Sequence, residues 1–154
     1  MKKRYIKWTM VIIWAIVIFV FSSQPGDISN GNNRFILDMF MKMGINLDAI
    51  TGNKADFIIR KAAHFTEYFI FYLLLYNALI DDFYLNSTLI ISLIMTFLYA
   101  STDEFHQRYV SGRGPAVRDV VIDVSGGVVC LLIIYIRHYI RNKKKNYRFF
   151  KKPY

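Results

Sequence analysis

Four continuous apolar blocks constrain this chain more than any other feature of its sequence. They run over about 5–21, 62–80, 83–100 and 117–136, with Trp8 to Phe21 the most apolar part of the first. Each is close to the ~20 residues that cross a hydrocarbon core as an α-helix, although the first is short. Their apolar residues are contiguous, without strict alternation, which excludes a transmembrane β-barrel. Nor do they follow the spacing of an amphipathic helix laid on a soluble core. Of 154 residues, 55% are hydrophobic, more than a soluble domain of that length can bury. The expected fold is all-α: a polytopic membrane protein built as a four-transmembrane-helix bundle, forming a single membrane domain over 1–154.

The net charge is +9. The basic residues flank the apolar blocks instead of lining a polar helix, which argues against nucleic-acid binding. Lys2, Lys3, Arg4 and Lys7 precede the first block. A basic tail, 137–154, follows the last and holds Arg137, Arg141, Lys143, Lys144, Lys145, Arg148, Lys151 and Lys152. Both flanks are expected in the cytoplasm, which requires an even number of spans in a multi-pass cell-membrane protein. The tail is suited to anionic lipids of the inner leaflet, so membrane lipids are expected partners. Basic, apolar, then small residues is also the order of a signal peptide. Ser22-Ser23-Gln24 lacks an A-x-A site, however, and the first block reads as a retained helix. Asp81-Asp82 then forms a tight cytoplasmic turn, its acidity saying little about orientation. Cys130, the single cysteine, sits in an apolar run as a packing residue.

Two segments are left outside, about Ser22 to Lys61 and Ser101 to Ala116. They retain Arg34, Lys42, Lys54, Arg60 and Lys61, and Arg108 and Arg113, against the usual bias, which points to anionic partners. In the longer one, Phe35, Ile36, Met39, Phe40 and Met43 recur at helical spacing, opposite Arg34, Asp38 and Lys42. Asn32 or Asn33 is suited to start this helix and Gly44 to end it. The reading is a short external amphipathic helix between spans one and two, lying on the membrane surface or plugging the bundle. Asn53 followed by Asp56 resembles a capping arrangement, so span two is expected to begin near Lys54.

The topology makes a sharp statement about the ionisable residues. Arg60, Lys61, His64 and Glu67 fall at the outer end of span two. Asp103, Glu104, His106 and Gln107 fall at the outer end of span three, and Arg118, Asp119 and Asp123 at that of span four. Arg60, His64 and Glu67 share a helical stripe, and the pairs Asp103/Gln107 and Asp119/Asp123 are each four apart. Ionised carboxylates at this depth should face the bundle interior, paired with Arg60, Arg113, Arg118 or His64. Gly126 and Gly127, a turn below Asp123, permit close helix approach. Such a cluster suits several chemistries. Its arginines, with Lys61, Glu104, Gln107, Asp119 and Asp123, suit binding of an anionic head group. His64 or His106, oriented by Glu67 or Asp103, suits acid–base catalysis. His64, Glu67, Asp103, Glu104 and Asp119 have ligand types suited to a divalent metal, without diagnostic spacing. A structural ion-pair network joining three helices is the fourth reading.

The run Arg60-Lys61-Ala62-Ala63-His64-Phe65-Thr66-Glu67-Tyr68 resembles the second-helix motif of VanZ-like proteins. Ser101-Thr102-Asp103-Glu104-Phe105-His106-Gln107, Gly112-Arg113, and then Asp119, Asp123 and Gly126 look like the rest of that pattern, as does Ser22-Ser23-Gln24-Pro25-Gly26. The resemblance extends roughly from Ser22 to Gly127. It implies a small bacterial multi-spanning protein of a family whose namesake is linked to resistance to the lipoglycopeptide teicoplanin. It also implies motif positions at His64, Glu67, Asp103, Glu104, Gln107, Arg113, Asp119 and Asp123. Ser111 stands where members often have proline, and Gly114-Pro115 where serine-glycine is more usual. The implied function is an outer-face site for an anionic envelope component, such as a lipid-linked cell-wall precursor, an anionic phospholipid or the lipoglycopeptide. A membrane-embedded hydrolase or transferase acting on a lipid-linked phosphate or sugar is the alternative. A non-catalytic structural or signalling partner is the third.

Overall fold

A computed structural model describes residues 2–52, 54–114 and 116–150, with the backbone alone for 2, 26–30, 32–33 and 144–150. Among the described residues there are six helices and no strand: α1 (Lys2–Ser22), α2 (Gly26–Lys42), α3 (Leu47–Thr51), α4 (Ala55–Leu79), α5 (Leu85–Gln107) and α6 (Val117–Phe150). Lys3–Ser22, Leu85–Gln107 and Val117–Lys143 are long and apolar enough to cross a membrane. Their outward faces expose Ile12, Ile13 and Ile16 on α1, Ile90, Ile94 and Phe97 on α5, and Leu132, Ile133 and Ile136 on α6. Exposure of large aliphatic groups on this scale is unfavourable in water and ordinary in lipid. The chain is a multi-pass membrane protein.

The remaining expected span falls in α4. At 25 residues it is long enough, but Arg60, Lys61, His64 and Glu67 in its first half interrupt the apolar run. α4 is instead the hub, packed against all five other helices. Its buried residues Tyr68, Phe71, Tyr72, Leu75, Ala78 and Leu79 recur every three to four positions, so one stripe faces the core. Two interior clusters form along it, one with Val11, Ile18 and Ala100, the other with Leu89 and Cys130. Cys130 is buried and packs as expected.

The closest approach is between α4 and α6. A Cβ on Gly126 would stand 2.2 Å from the Phe65 carbonyl oxygen, so only glycine lets the two backbones meet there. Gly127 faces the Thr96 methyl group and the Tyr72 ring. At the other end of the bundle, Arg4 pairs with Asp82 at 3.1 Å and Lys7 pairs with Asp81. The acidic turn between α4 and α5, uninformative for orientation, thus clasps the basic start of α1.

Two boundaries and one helix differ from expectation. α2 begins at Gly26, not at Asn32 or Asn33, because Pro25 stops a helix from extending backward and seats its first turn. The side chains of Asn32 and Asn33 lie outside the described residues. Gly44, at φ +83°, lies just past the end of this helix, as its position implied. α3 was not anticipated, although Asn46 carries its signal: Oδ1 accepts the Ala49 N–H at 3.0 Å. α4 begins at Ala55, as expected near Lys54, though without a side-chain cap, and Asn53 lies outside the described residues. α6 does not stop near residue 136 but continues to Phe150, since no glycine or proline interrupts it after Gly127.

Candidate functional site

The polar ends of α4, α5 and α6 meet at the end of the bundle opposite the Asp81-Asp82 turn. The loop after α5 turns at Gly112, whose φ of +74° favours glycine, and returns Arg113 toward α1. Arg60, Lys61 and His64 from α4, Gln107 from α5, Gly112–Gly114 from the loop and Asp119 from α6 line a cavity of about 140 Å³.

Lys61 Nζ sits 2.6 Å from Asp119 Oδ2. His64 Nδ1 lies 3.5 Å from Asp123 Oδ1 and 4.0 Å from Glu67 Oε2, within ion-pair reach of both. Asp123 is 1% exposed, and neither of its carboxylate oxygens has a hydrogen-bond partner among the described residues. The Arg113 Nε–H donates to the Gln24 carbonyl at 3.1 Å and its Nη2 to the Phe21 carbonyl at 3.3 Å. A cation here sits at the negative end of the α1 helix dipole. Two of its five N–H donors are so engaged, and Arg113 also lines the cavity. Burial, then the nearby Arg60, pushes the Arg113 guanidinium below its ordinary range, against the opposite pull of Asp103, Glu67 and Glu104. It stays protonated at any physiological pH. Among the described residues neither Arg60 nor Arg113 is ion-paired with a carboxylate.

A second polar cluster adjoins the cavity through Gln107. Its Nε2 donates to Ser22 Oγ at 3.1 Å and approaches Asp103 Oδ2 at 3.5 Å. The Tyr68 hydroxyl lies against Asp103, and all four residues are buried. Ser22 and Tyr68 were missed as members of the site. Each stands inside a quoted motif run, and neither has a charge to single it out.

Other expected members are placed differently. Arg118 does not pair with a carboxylate; its Cζ lies 5.3 Å from the Phe57 ring centroid. One residue along a helix is a turn of ~100°, so Arg118 and Asp119 cannot share a face. Lys61, not Arg60, Arg113 or Arg118, supplies the counter-charge to Asp119. His106 stands apart from the cavity wall, its ring 4.7 Å from Phe19 at the α1–α5 contact. Glu104 is drawn off to the start of α6, where Oε1 accepts the Ala116 N–H at 2.5 Å. The metal reading loses its ligand set this way. Among the described residues no three His, Cys, Asp or Glu side chains are grouped to hold an ion.

A family model described as VanZ/LLP1 matches residues 7–138. The chain belongs to the VanZ/LLP1 family. No curated protein and no solved structure matches it. The VanZ/LLP1 match spans both polar clusters and every helix that contributes to them. In this VanZ/LLP1 chain the cavity offers two kinds of chemistry. Two guanidinium groups that have no ion-paired carboxylate among the described residues suit an anion. An imidazole close to two carboxylates suits proton transfer.

Proposed function

We propose that this chain crosses the bacterial cell membrane four times, with both termini in the cytoplasm, and engages a phosphate-bearing anionic envelope component at an outer-face cavity. A lipid-linked cell-wall precursor or an anionic phospholipid has the required chemistry. Through this engagement the protein alters susceptibility to lipophilic glycopeptides such as teicoplanin. The observation that carries the reading is Arg60 and Arg113, which line the cavity without an ion-paired carboxylate among the described residues. Guanidinium forks match phosphate oxygens in geometry and charge.

Several features support the topology. α4 has 25 residues, about 37 Å of helix, against a hydrocarbon core of roughly 30 Å. Lysine and arginine flank α1 at its start and α6 after Ile136. The Arg4 and Lys7 ion pairs keep the α4–α5 turn at the end of the bundle where α1 starts. α2 exposes Phe35 and Met39, in line with Met43 just past its end, a stripe suited to the outer membrane surface.

Expression in a susceptible host is expected to raise tolerance to teicoplanin more than to vancomycin. Arg113→Gln should abolish the gain at wild-type protein level. Equal tolerance with and without the protein refutes the reading. In a Cys130→Ala background, cysteines at Met43 and Ser111 should react with an impermeant external thiol reagent, and one at Asn142 should not. The reverse pattern would move the cavity to the cytoplasm.

His64, set between Glu67 and Asp123, favours a second reading, a membrane-embedded hydrolase or transferase. There His64 acts as acid or base on a lipid-linked phosphate held by the arginines. Retention of function by both His64→Ala and Glu67→Gln excludes it.

A further inference from the structure

Beside the polar cavity runs an apolar groove of about 510 Å³, lined by Trp14 from α1, Ile36 and Phe40 from α2, and Ile59, Ala63 and Ile70 from α4. The two spaces lie on neighbouring faces of α4. Arg60, Lys61 and His64 face the cavity, while Ile59, Ala62 and Ala63 face the groove. Glu67 joins them, because it lines the groove and its Oε2 is 4.0 Å from His64 Nδ1 in the cavity wall.

The volumes divide the work. The cavity, at about 140 Å³, is the smaller space and is lined by charged side chains, which suits a phosphate group. The groove falls within the roughly 300–1,000 Å³ of small-ligand sites and is walled by hydrocarbon. The charge and the apolar surface are therefore adjacent and separate, as head and tail are in an amphiphile.

We propose that the cavity and groove together hold one lipid, its phosphate between Arg60 and Arg113 and a single hydrocarbon chain along the groove beneath α2. This rests on the reading of the cavity as a phosphate site and adds the chain. α2 then has two apolar sides with different tasks. Ile36 and Phe40 close the groove over the bound chain, while Phe35, Met39 and Met43 remain exposed to the bilayer.

Trp14 reports on the groove directly. In the full-length protein carrying Trp8→Phe, emission comes from Trp14 alone. The probe is hexadecyl phosphate brominated at mid-chain, since bromine quenches a tryptophan it touches. Saturable quenching is expected. Arg113→Gln should raise the half-saturating concentration at least tenfold. Arg4→Gln, at the opposite end of the bundle, should leave it unchanged. Ala63→Leu should narrow the groove and reduce the quenching, with thermal unfolding as the check on folding.

Equal quenching by a brominated alcohol that lacks the phosphate overturns the proposal, because the groove would then be general lipid-facing surface. Inorganic phosphate binding as tightly as the alkyl phosphate, measured by calorimetry, also overturns it, yet spares the phosphate reading. Equal affinity for two-chain phosphatidic acid overturns the single-chain assignment. Binding of neither alkyl nor inorganic phosphate brings down both the inference and the reading beneath it.

Discussion

Gly126→Ala tests the packing that assembles the cavity. The added methyl carbon would lie 2.2 Å from the Phe65 carbonyl oxygen and 3.0 Å from the Phe69 nitrogen. Both are α4 backbone atoms, which cannot rotate away. Relief requires α4 and α6 to separate by about 1 Å, since carbon contacts are comfortable only near 3.5 Å. Overpacking of this kind costs about 1–3 kcal/mol, and a clash against backbone belongs at the upper end. Alanine regains up to about 1 kcal/mol of helix propensity over glycine, which leaves a net loss of roughly 1–2 kcal/mol.

Gly127→Ala supplies the internal control. Its Cβ would meet the Thr96 methyl at 3.1 Å and the Tyr72 ring at 3.4 Å, both side-chain atoms. A shift of a few tenths of an ångström relieves that contact, so propensity and crowding nearly cancel. Thermal unfolding of the detergent-purified protein should show Gly126→Ala clearly destabilised and Gly127→Ala close to wild type. The same separation would pull Lys61 from Asp119 and His64 from Asp123, so Gly126→Ala should also lose the proposed gain in teicoplanin tolerance at matched protein level. A Gly126→Ala protein as stable as wild type would refute the backbone contact and the helix register derived from it.

Two other bonds that position the helices give smaller effects. Tyr99→Phe removes the hydroxyl that donates to the Ala15 carbonyl at 2.6 Å, and should lower stability by about 0.5–1.5 kcal/mol in the same unfolding assay. Glu104→Leu takes the acceptor from the Ala116 N–H at the start of α6, for a loss of about 1–3 kcal/mol, whereas Glu104→Gln keeps an acceptor oxygen and most of the stability.

Spacing along single helices made the convergence of polar residues legible. Arg60 with His64, and Asp103 with Gln107, each project from one helix face, and both pairs reach the polar end of the bundle. Gly126 was legible too, because two glycines a turn below a buried acid have few uses besides close approach. The partners across helices were not. Whether Asp119 meets Lys61 or Arg118 depends on how α6 is rotated against α4, which the Gly126 contact sets and no local pattern records. Arg113 was expected on a carboxylate and instead binds two carbonyls at the end of α1. That outcome needs the loop turn at Gly112 and the exact reach of α1, both products of assembly. His106 illustrates the same limit: three residues beyond Asp103, it points at Phe19.

The same dependence on assembly accounts for α4, whose charged first half interrupts its apolar run and which packs against all five other helices. Its Phe, Ile and Leu residues from Phe65 to Leu79 favour insertion by roughly 2–5 kcal/mol in total on a translocon scale. A charge near the centre costs about 3 kcal/mol on that scale, and α4 carries Glu67 and His64 besides three tyrosines. Alone, it is close to balance. Within the bundle His64 gains Asp123 and Glu67, the Tyr72 hydroxyl gains the Leu89 carbonyl at 3.0 Å, and the polar half of the helix meets protein instead of lipid. α4 should therefore insert incompletely when fused by itself into a glycosylation-mapping reporter. It should insert fully with α1, α5 and α6 present, and Glu67→Leu should rescue insertion of the isolated helix. If isolated α4 inserts as completely as isolated α6, its polar residues impose no such dependence, and the hub position needs another cause.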